Sequence, residues 1–220
     1  MEFKIDFHVH TSKSFDSIAD VKSVVRIAKS KGLDAICVTD HDVYTEFDDL
    51  GLTVFRGCEI TTDAGDLLGV FIKSPVKSGK WQDVIQQVHK QGGLVILPHP
   101  YNHHKLSAEL VRSVDLIEGY NSRVKPELNK QAVELAKKYD KPTVSSSDAH
   151  FASDVGNSYT IVDAKSLKEN DVKIALLKNK TKTHYRASNR SKIHINRAIK
   201  LVKLRQFNKI LPFIKRKILN

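Results

Sequence analysis

Phe3-Lys4-Ile5-Asp6-Phe7-His8-Val9-His10 alternates apolar and polar residues as a β-strand does, and it ends in two histidines two residues apart. Side chains at i and i+2 of a strand point to the same side, so His8 and His10 converge on one point in space. A single metal ion could take both, although an isolated pair of this kind is more often solvated or hydrogen-bonded. Its meaning therefore depends on what the rest of the chain brings to that point.

Outward from this strand, a polar loop over residues 11–18 leads to a helix whose Val21, Val24, Val25 and Ala28 share one face, with Gly32 as its stop. Residues 33–39 read as a buried strand ending at Asp40-His41-Asp42. Strands over 54–60 and 67–72 flank a turn at Asp63-Ala64-Gly65, and a helix over 80–91 buries Trp81, Val84, Ile85 and Val88. A strand over 94–97 runs into Pro98-His99-Pro100. Then come a strand over 114–120, a helix over 127–139, and a strand over 142–145 with its exit at Ser147-Asp148-Ala149-His150. A last strand near 159–162 precedes a helix introduced by Ser166 and Glu169, which have capping-box spacing. Alternating strands and helices predict an α/β fold with a mainly parallel sheet and right-handed crossovers, closed into a barrel or left open and doubly wound.

At 220 residues the chain supports one sizeable core. No run of about 18 apolar residues could span a membrane and no early stretch resembles a signal sequence, so a soluble cytoplasmic protein is expected. Cys37 and Cys58 lie in apolar runs without a CxxC partner and read as small core residues rather than a disulfide or a cysteine zinc site. The net charge of +11 is uneven: no Asp or Glu follows Asp171, and 15 of the 36 Lys and Arg lie in residues 172–220. The body, with 21 basic and 25 acidic residues in 1–172, is mildly acidic, and the end of the chain is strongly basic.

The candidate ligands track the strand ends. His8 and His10 follow the first strand, Asp40 and His41 the second, Glu59 the next, His99 another, and Asp148 and His150 another still. Barrels of this class place their chemistry at those ends, and imidazole plus carboxylate suits zinc, manganese or iron. Eight such side chains exceed the needs of one ion. Neither GxGxxG, GxxxxGK[ST] nor GxSxG occurs, which leaves nucleotide loops and a serine nucleophile unsupported.

His8 to Ser17 (HVHTSKSFDS), Val38 to Asp42 (VTDHD), Gly57 to Thr62 (GCEITT), Leu97 to Pro100 (LPHP) and Ser146 to His150 (SSDAH) resemble, in order, the motifs of the PHP (polymerase and histidinol phosphatase) superfamily, and Ile117 to Asn121 (IEGYN) resembles its small stand-alone phosphoesterases. The resemblance covers residues 1 to about 165. It implies a distorted (β/α)7 TIM-like barrel with two or three divalent ions (Zn, Mn or Fe). Carried over by motif, His8, His10, Glu59 and Asp148 hold one ion, Glu59 bridges to a second held also by His99, and Asp16, His41 and His150 hold a third. The family's remaining ligand varies, and here Glu118 or Asn121 stands in its place.

The implied activity is hydrolysis of phosphomonoesters of nucleotides or small metabolites by a hydroxide bridging two ions, with Asp148, His99 and Arg123 as candidate catalytic residues. Arg123 and Lys105 are candidate phosphate contacts, Asp42 a candidate orienter of His41, and His103 and His104 loop residues. His89, His184 and His194 read as structural or exposed. The alternatives are a nuclease or phosphodiesterase, and a non-catalytic metal-bound module.

A phosphoesterase domain over 1–185 and a basic amphipathic helical tail over 186–220 are expected. In the tail, Ile195, Ala198, Ile199 and Val202, then Phe207, Ile210, Leu211 and Ile214, recur between Lys and Arg, with a break near Pro212. Its apolar face would pack on the barrel and its basic face would be solvated, or would contact nucleic acid or an anionic membrane surface.

Overall fold

A computed structural model describes residues 1–206 and Lys209. Phe207, Ile210, Leu211, Ile214 and the break at Pro212 lie outside the described residues. Nine strands form one sheet: β1 (Glu2–Val9), β2 (Ala35–Val38), β3 (Thr53–Thr62), β4 (Gly65–Val70), β5 (Leu94–Leu97), β6 (Leu116–Asn121), β7 (Thr143–Ser146), β8 (Tyr159–Asp163) and β9 (Thr181–His184). Neighbours run β7-β6-β5-β4-β3-β2-β1-β8-β9, so the first seven strands follow chain order. Beyond β7 the chain returns to β1, where Val9 bridges Ala149, the N–H of His10 donates to the Ala149 carbonyl (2.9 Å) and the N–H of Ser147 donates to Asp6 Oδ1 (3.0 Å). The result is the nearly closed seven-stranded TIM-like barrel that the resemblance implies.

The sheet is less parallel than expected. β1–β2, β2–β3, β5–β6 and β6–β7 pair parallel, whereas β3–β4, β4–β5, β1–β8 and β8–β9 pair antiparallel. A tight turn joins β3 to β4, and a parallel pair would need a crossover of about a dozen residues or more. Gly65, at φ 115, takes up the backbone conformation that this turn demands.

Helices α1 (Val21–Ser30), α2 (Trp81–Lys90), α3 (Ala108–Ser113), α4 (Pro126–Lys138), α5 (Glu169–Leu177) and α6 (Arg190–Lys203) surround the sheet. Asp20 caps α1 by accepting from the N–H of Ser23 (3.1 Å), and α1 buries Val24, Val25 and Ala28. α3 and β9 have no counterpart in the sequence reading: α3 is a short helix capped by Ser107, and β9 is polar and largely exposed. The Ser166–Glu169 capping box does not form. Lys168 occupies the N-cap of α5, and the Ser166 hydroxyl instead donates to Asp171 Oδ2 (2.7 Å).

Cys37 and Cys58 are buried free thiols, and burial raises both pKa values. Along β1, Ile5 and Phe7 join the main apolar cluster with Phe55, Leu68, Phe71 and Ile96, while alternation turns Asp6, His8 and His10 to the other face. All of these β1 side chains are fully buried. Among the described residues no helix is long and apolar enough to cross a membrane.

α6 departs from the expected packing of the tail, with Ala198 and Ile199 only half-buried. Ile195 is 53% and Val202 51% exposed, while Asn196 is its buried residue. Lys192, Asn196, Lys200 and Lys203, three or four residues apart, form a stripe turned onto the barrel. Lys192 pairs with Asp154 (2.6 Å), Lys200 lies over the Phe15 ring, and Lys203 donates to the carbonyls of Ser12, Ser14 and Ser17 (2.9, 2.7 and 2.8 Å). The bonds of this stripe to the protein are thus mainly polar.

Candidate metal centre

At the end of β1 the ring nitrogens His8 Nε2 and His10 Nε2 face each other at 3.0 Å. Both meet Glu59 Oε2, at 3.1 and 3.2 Å, and Asp148 Oδ1, at 3.7 and 3.5 Å. A tetrahedral ion with ligand bonds near 2.0–2.1 Å separates its ligand atoms by about 3.4 Å. These four atoms therefore stand about where one cation's ligands would, and two imidazole nitrogens at such a distance require a proton or a cation between them. The residues fit a divalent ion.

Glu59 links this group to two others. Its Oε2 also lies 3.4 Å from His41 Nε2, and its Oε1 lies 3.2 Å from His99 Nε2. It sits within β3 opposite Leu68, not at the strand end, because β3 runs on to Thr62. His99 follows β5 with a positive φ of 28°. On the other flank, Asp16 Oδ2 is 3.0 Å from His150 Nε2 and 3.4 Å from His41 Nε2, and His10 completes a group of four donors that lie within 4.8 Å of one another. Phe15 stacks on the His41 ring at 4.5 Å.

The charges support one another. Burial would raise Glu59, but His41, His8 and His10 outweigh it and hold the carboxyl well below its ordinary range. Burial likewise opposes ionisation of Asp148, and Arg123, His8, His10 and His150 overcome it. Burial pulls His8 down, yet Asp148, Glu59 and Glu118 together carry it well above its ordinary value. In His99 the same contest, burial against Glu59, Glu118 and Asp148, also ends in an upward shift.

Behind the ligands stands a second layer of carboxylates and amides. Glu118 Oε1 meets His8 Nδ1 at 3.1 Å, while its Oε2 accepts from the His99 backbone N–H and from Asn121 Nδ2, each at 2.9 Å. Asn121 Nδ2 also reaches Asp148 Oδ2 at 3.2 Å. Both residues thus lie behind His8, His99 and Asp148 rather than within the converging groups. Asp6 is fully buried, accepts N–H bonds from His8, Ser147 and Gly156, and is pushed up to about 6 by burial.

Several sequence readings change here. Asp40 accepts from the N–H and hydroxyl of Thr11 (2.6 and 2.7 Å), so it braces the loop and not the ion cluster. Asp42 does not orient His41. It accepts from the Thr61 N–H and the Ser78 hydroxyl, both at 2.8 Å, because its φ of 53° turns the chain away from the site. His104 is part of the site's wall: its Nε2 meets the Asp66 carbonyl at 2.7 Å, and its ring lies 5.5 Å from that of His99.

Arg123 reaches the cluster as expected, with Nη1 3.4 Å from Asp148 Oδ1 and in contact with His150 Nδ1. Lys105 gives its backbone N–H to the Ala64 carbonyl. His89 pairs with Asp115 and His184 stacks on Tyr159, both outside the cluster, in keeping with structural roles.

Asp6, Asp66 and Asn196 were not singled out from the sequence. Asp66 groups with His41 and Glu59. It pairs across β3–β4 with Thr61, two residues from Glu59, so knowing the hairpin register would have found it. Asp6 had a signal in the alternation of β1, which puts it on the face of His8 and His10.

A family model described as PHP-associated matches residues 126–181. An uncharacterized protein of Methanocaldococcus jannaschii is 31% identical over 169 residues, which cover 71% of this chain and 69% of that protein. Among solved structures, a two-domain protein of Bacteroides vulgatus containing a predicted PHP-like metal-dependent phosphoesterase superposes with a TM-score of 0.68 at 23% identity, over 84% of this chain and 65% of that one. The lesion-specific endonuclease EndoQ of Pyrococcus furiosus superposes with a TM-score of 0.64 at 16% identity, over 83% of this chain and 58% of that one.

Proposed function

From the premise that this chain belongs to the PHP superfamily, we propose that it is a metal-dependent hydrolase of phosphoric esters, acting on phosphomonoesters of nucleotides or other small metabolites. The observation that carries this reading is the convergence of His8, His10, Glu59 and Asp148 on one point, with the Arg123 guanidinium at the same Asp148 carboxylate. Two or three divalent cations (Zn, Mn or Fe) held by His8, His10, Asp16, His41, Glu59, His99, Asp148 and His150 would supply the positive charge that acidifies a water and neutralises phosphoryl oxygens. Glu118 orients His8 from behind, the usual part of a carboxylate that receives the outer nitrogen of a ligating histidine.

Arg123 offers the phosphoryl group a charged donor at Nη1, on the side of Asp148 and His150. Asp148 and His99, ionisable members of the cluster, are the groups assigned to move the proton. The buried free thiols Cys37 and Cys58 are consistent with a reducing compartment such as the cytoplasm.

On α6, Lys192 and Lys203 are already bonded to groups of the protein itself, which lowers their worth to a nucleic acid backbone and weighs on the side of small substrates. The test is a panel of phosphomonoesters, phosphodiesters and single-stranded DNA and RNA, assayed with Mn, Zn and Fe. Phosphate release from monoesters, lost in Asp148→Ala, is expected. Cleavage of the polymers alone would make the protein a nuclease, and no turnover with any metal would leave a metal-bound module.

A further inference from the structure

α6 contributes to the site a residue that lies outside every ligand motif. Asn196 is 4% exposed, and both ends of its amide are used on site residues from different parts of the barrel. Its Oδ1 accepts from Arg123 Nη2 at 2.6 Å, and its Nδ2 donates to the backbone carbonyl of Asp16. Arg123, in turn, follows β6 and points Nη1 at Asp148 and His150. Arg123, His150, Lys192 and Asn196 line a cavity of about 10 Å3 beneath the helix, room for no more than about one water. The helix is thus seated directly on the guanidinium.

We propose that Asn196 is a positioning residue for substrate binding. By taking Nη2 it fixes the plane of the Arg123 guanidinium, so that Nη1 is held where a phosphoryl oxygen must arrive. An arginine side chain gives up rotamer freedom when it is pinned, and a partner that removes this freedom before binding spares the substrate that cost. The inference deepens the proposed function and rests on its reading of Arg123 as an anion contact. It also makes α6, set apart in the sequence as a basic tail, a working part of the site.

The experiment uses the full-length, manganese-loaded protein, with inorganic phosphate as the calorimetric probe and p-nitrophenyl phosphate for KM and kcat. Arg123→Ala and Asn196→Ala are each expected to weaken phosphate binding and raise KM about tenfold, with kcat within about threefold. The double variant is expected to be no weaker than Arg123→Ala alone, because the two side chains act as one unit. Asn196→Asp, which keeps an acceptor for Nη2, is expected to restore part of the loss.

Full additivity in the cycle, or normal phosphate affinity in Asn196→Ala beside a weakened Arg123→Ala, would overturn the positioning role alone. Normal phosphate affinity in Arg123→Ala would overturn it together with the reading of Arg123 as an anion contact.

Discussion

His8, His10 and Glu59 are carried by β1 and β3 and Asp148 follows β7, with their outer atoms taken up by buried partners such as Glu118 and Asn121, whereas Asp16 stands on the irregular loop between β1 and α1 and is braced from outside by α6. The first flank inherits its geometry from the hydrogen-bonded sheet. The second depends on bonds within the loop, to the end of β2 and to a helix distant in sequence: Ser14 to Asp16 (2.9 Å), Thr11 to Asp40, Lys203 to three loop carbonyls. Strand-built sites hold ligands with little further support, while loop-built sites need a brace whose loss can be graded. The two flanks should therefore fail differently.

The largest effect is expected where the flanks meet. Glu59 touches His8, His10, His41 and His99, so Glu59→Gln should remove charge beside ligands of every group of donors. Turnover should fall by about a thousandfold or more, equal to at least about 4 kcal/mol of barrier, and elemental analysis should show loss of more than one ion. Full metal content in this variant would mean that the flanks do not share a ligand.

Next comes Glu118→Ala, which acts on the strand flank alone. Removing the carboxylate leaves His8 Nδ1 and the His99 N–H without their acceptor, and an outer partner of this kind is worth about 10- to 100-fold in metal affinity or activity. Metal competition assays should show this loss for the ion at His8 and His10. Any ion bound beside Asp16 should be unaffected.

Acidity separates the bare cluster from the loaded one. His8 and His99 are held above their ordinary values, so the stability they contribute is present below about pH 6.5 and is lost as pH rises through their folded values. Glu59 and Asp148 are held below theirs, so their contribution is present above about pH 4 and is lost as pH falls. Metal-free protein should be most stable between these limits. Manganese, which competes with protons for the same atoms, should raise Tm more at pH 8 than at pH 6. Equal shifts would show that His8 and His99 carry no extra proton in the bare cluster.

The same contrast explains what could be read from the sequence. HxH on an alternating strand, HP after a buried strand and SDAH at a strand exit are local patterns, so His8, His10, His99, Asp148 and His150 were visible one by one, and strand ends converge in any closed α/β barrel. Asp42 misled because adjacency to His41 in sequence does not survive a left-handed backbone. Glu118 was visible as a candidate ligand, but whether a carboxylate lies before or behind a histidine depends on which face of β6 turns inward. Asn196 was hidden for a stronger reason: in a helix rich in Lys and Ile the apolar residues are taken to face the core, and here the core-facing stripe is polar. Polar caps for a loop leave no hydrophobic period to find.

Lys203→Ala has the smallest expected effect and bears most directly on the loop flank. The ammonium sits at the exposed end of α6 and its three bonds go to carbonyls within residues 12–17, on both sides of Asp16. A largely exposed cation contributes about 1 kcal/mol or less, so an ion bound beside Asp16 and His150 should be held roughly two- to fivefold more weakly, with any ion at His8 and His10 unchanged. The loop still keeps Ser14 on Asp16, Thr11 on Asp40 and the Asn196 bond to the Asp16 carbonyl, which is why the loss should stop there. A loss beyond tenfold would make α6 the main source of order in this loop. No loss at all would place the rigidity of Asp16 within residues 11–17 themselves, and the two flanks would then differ in position but not in how they are held.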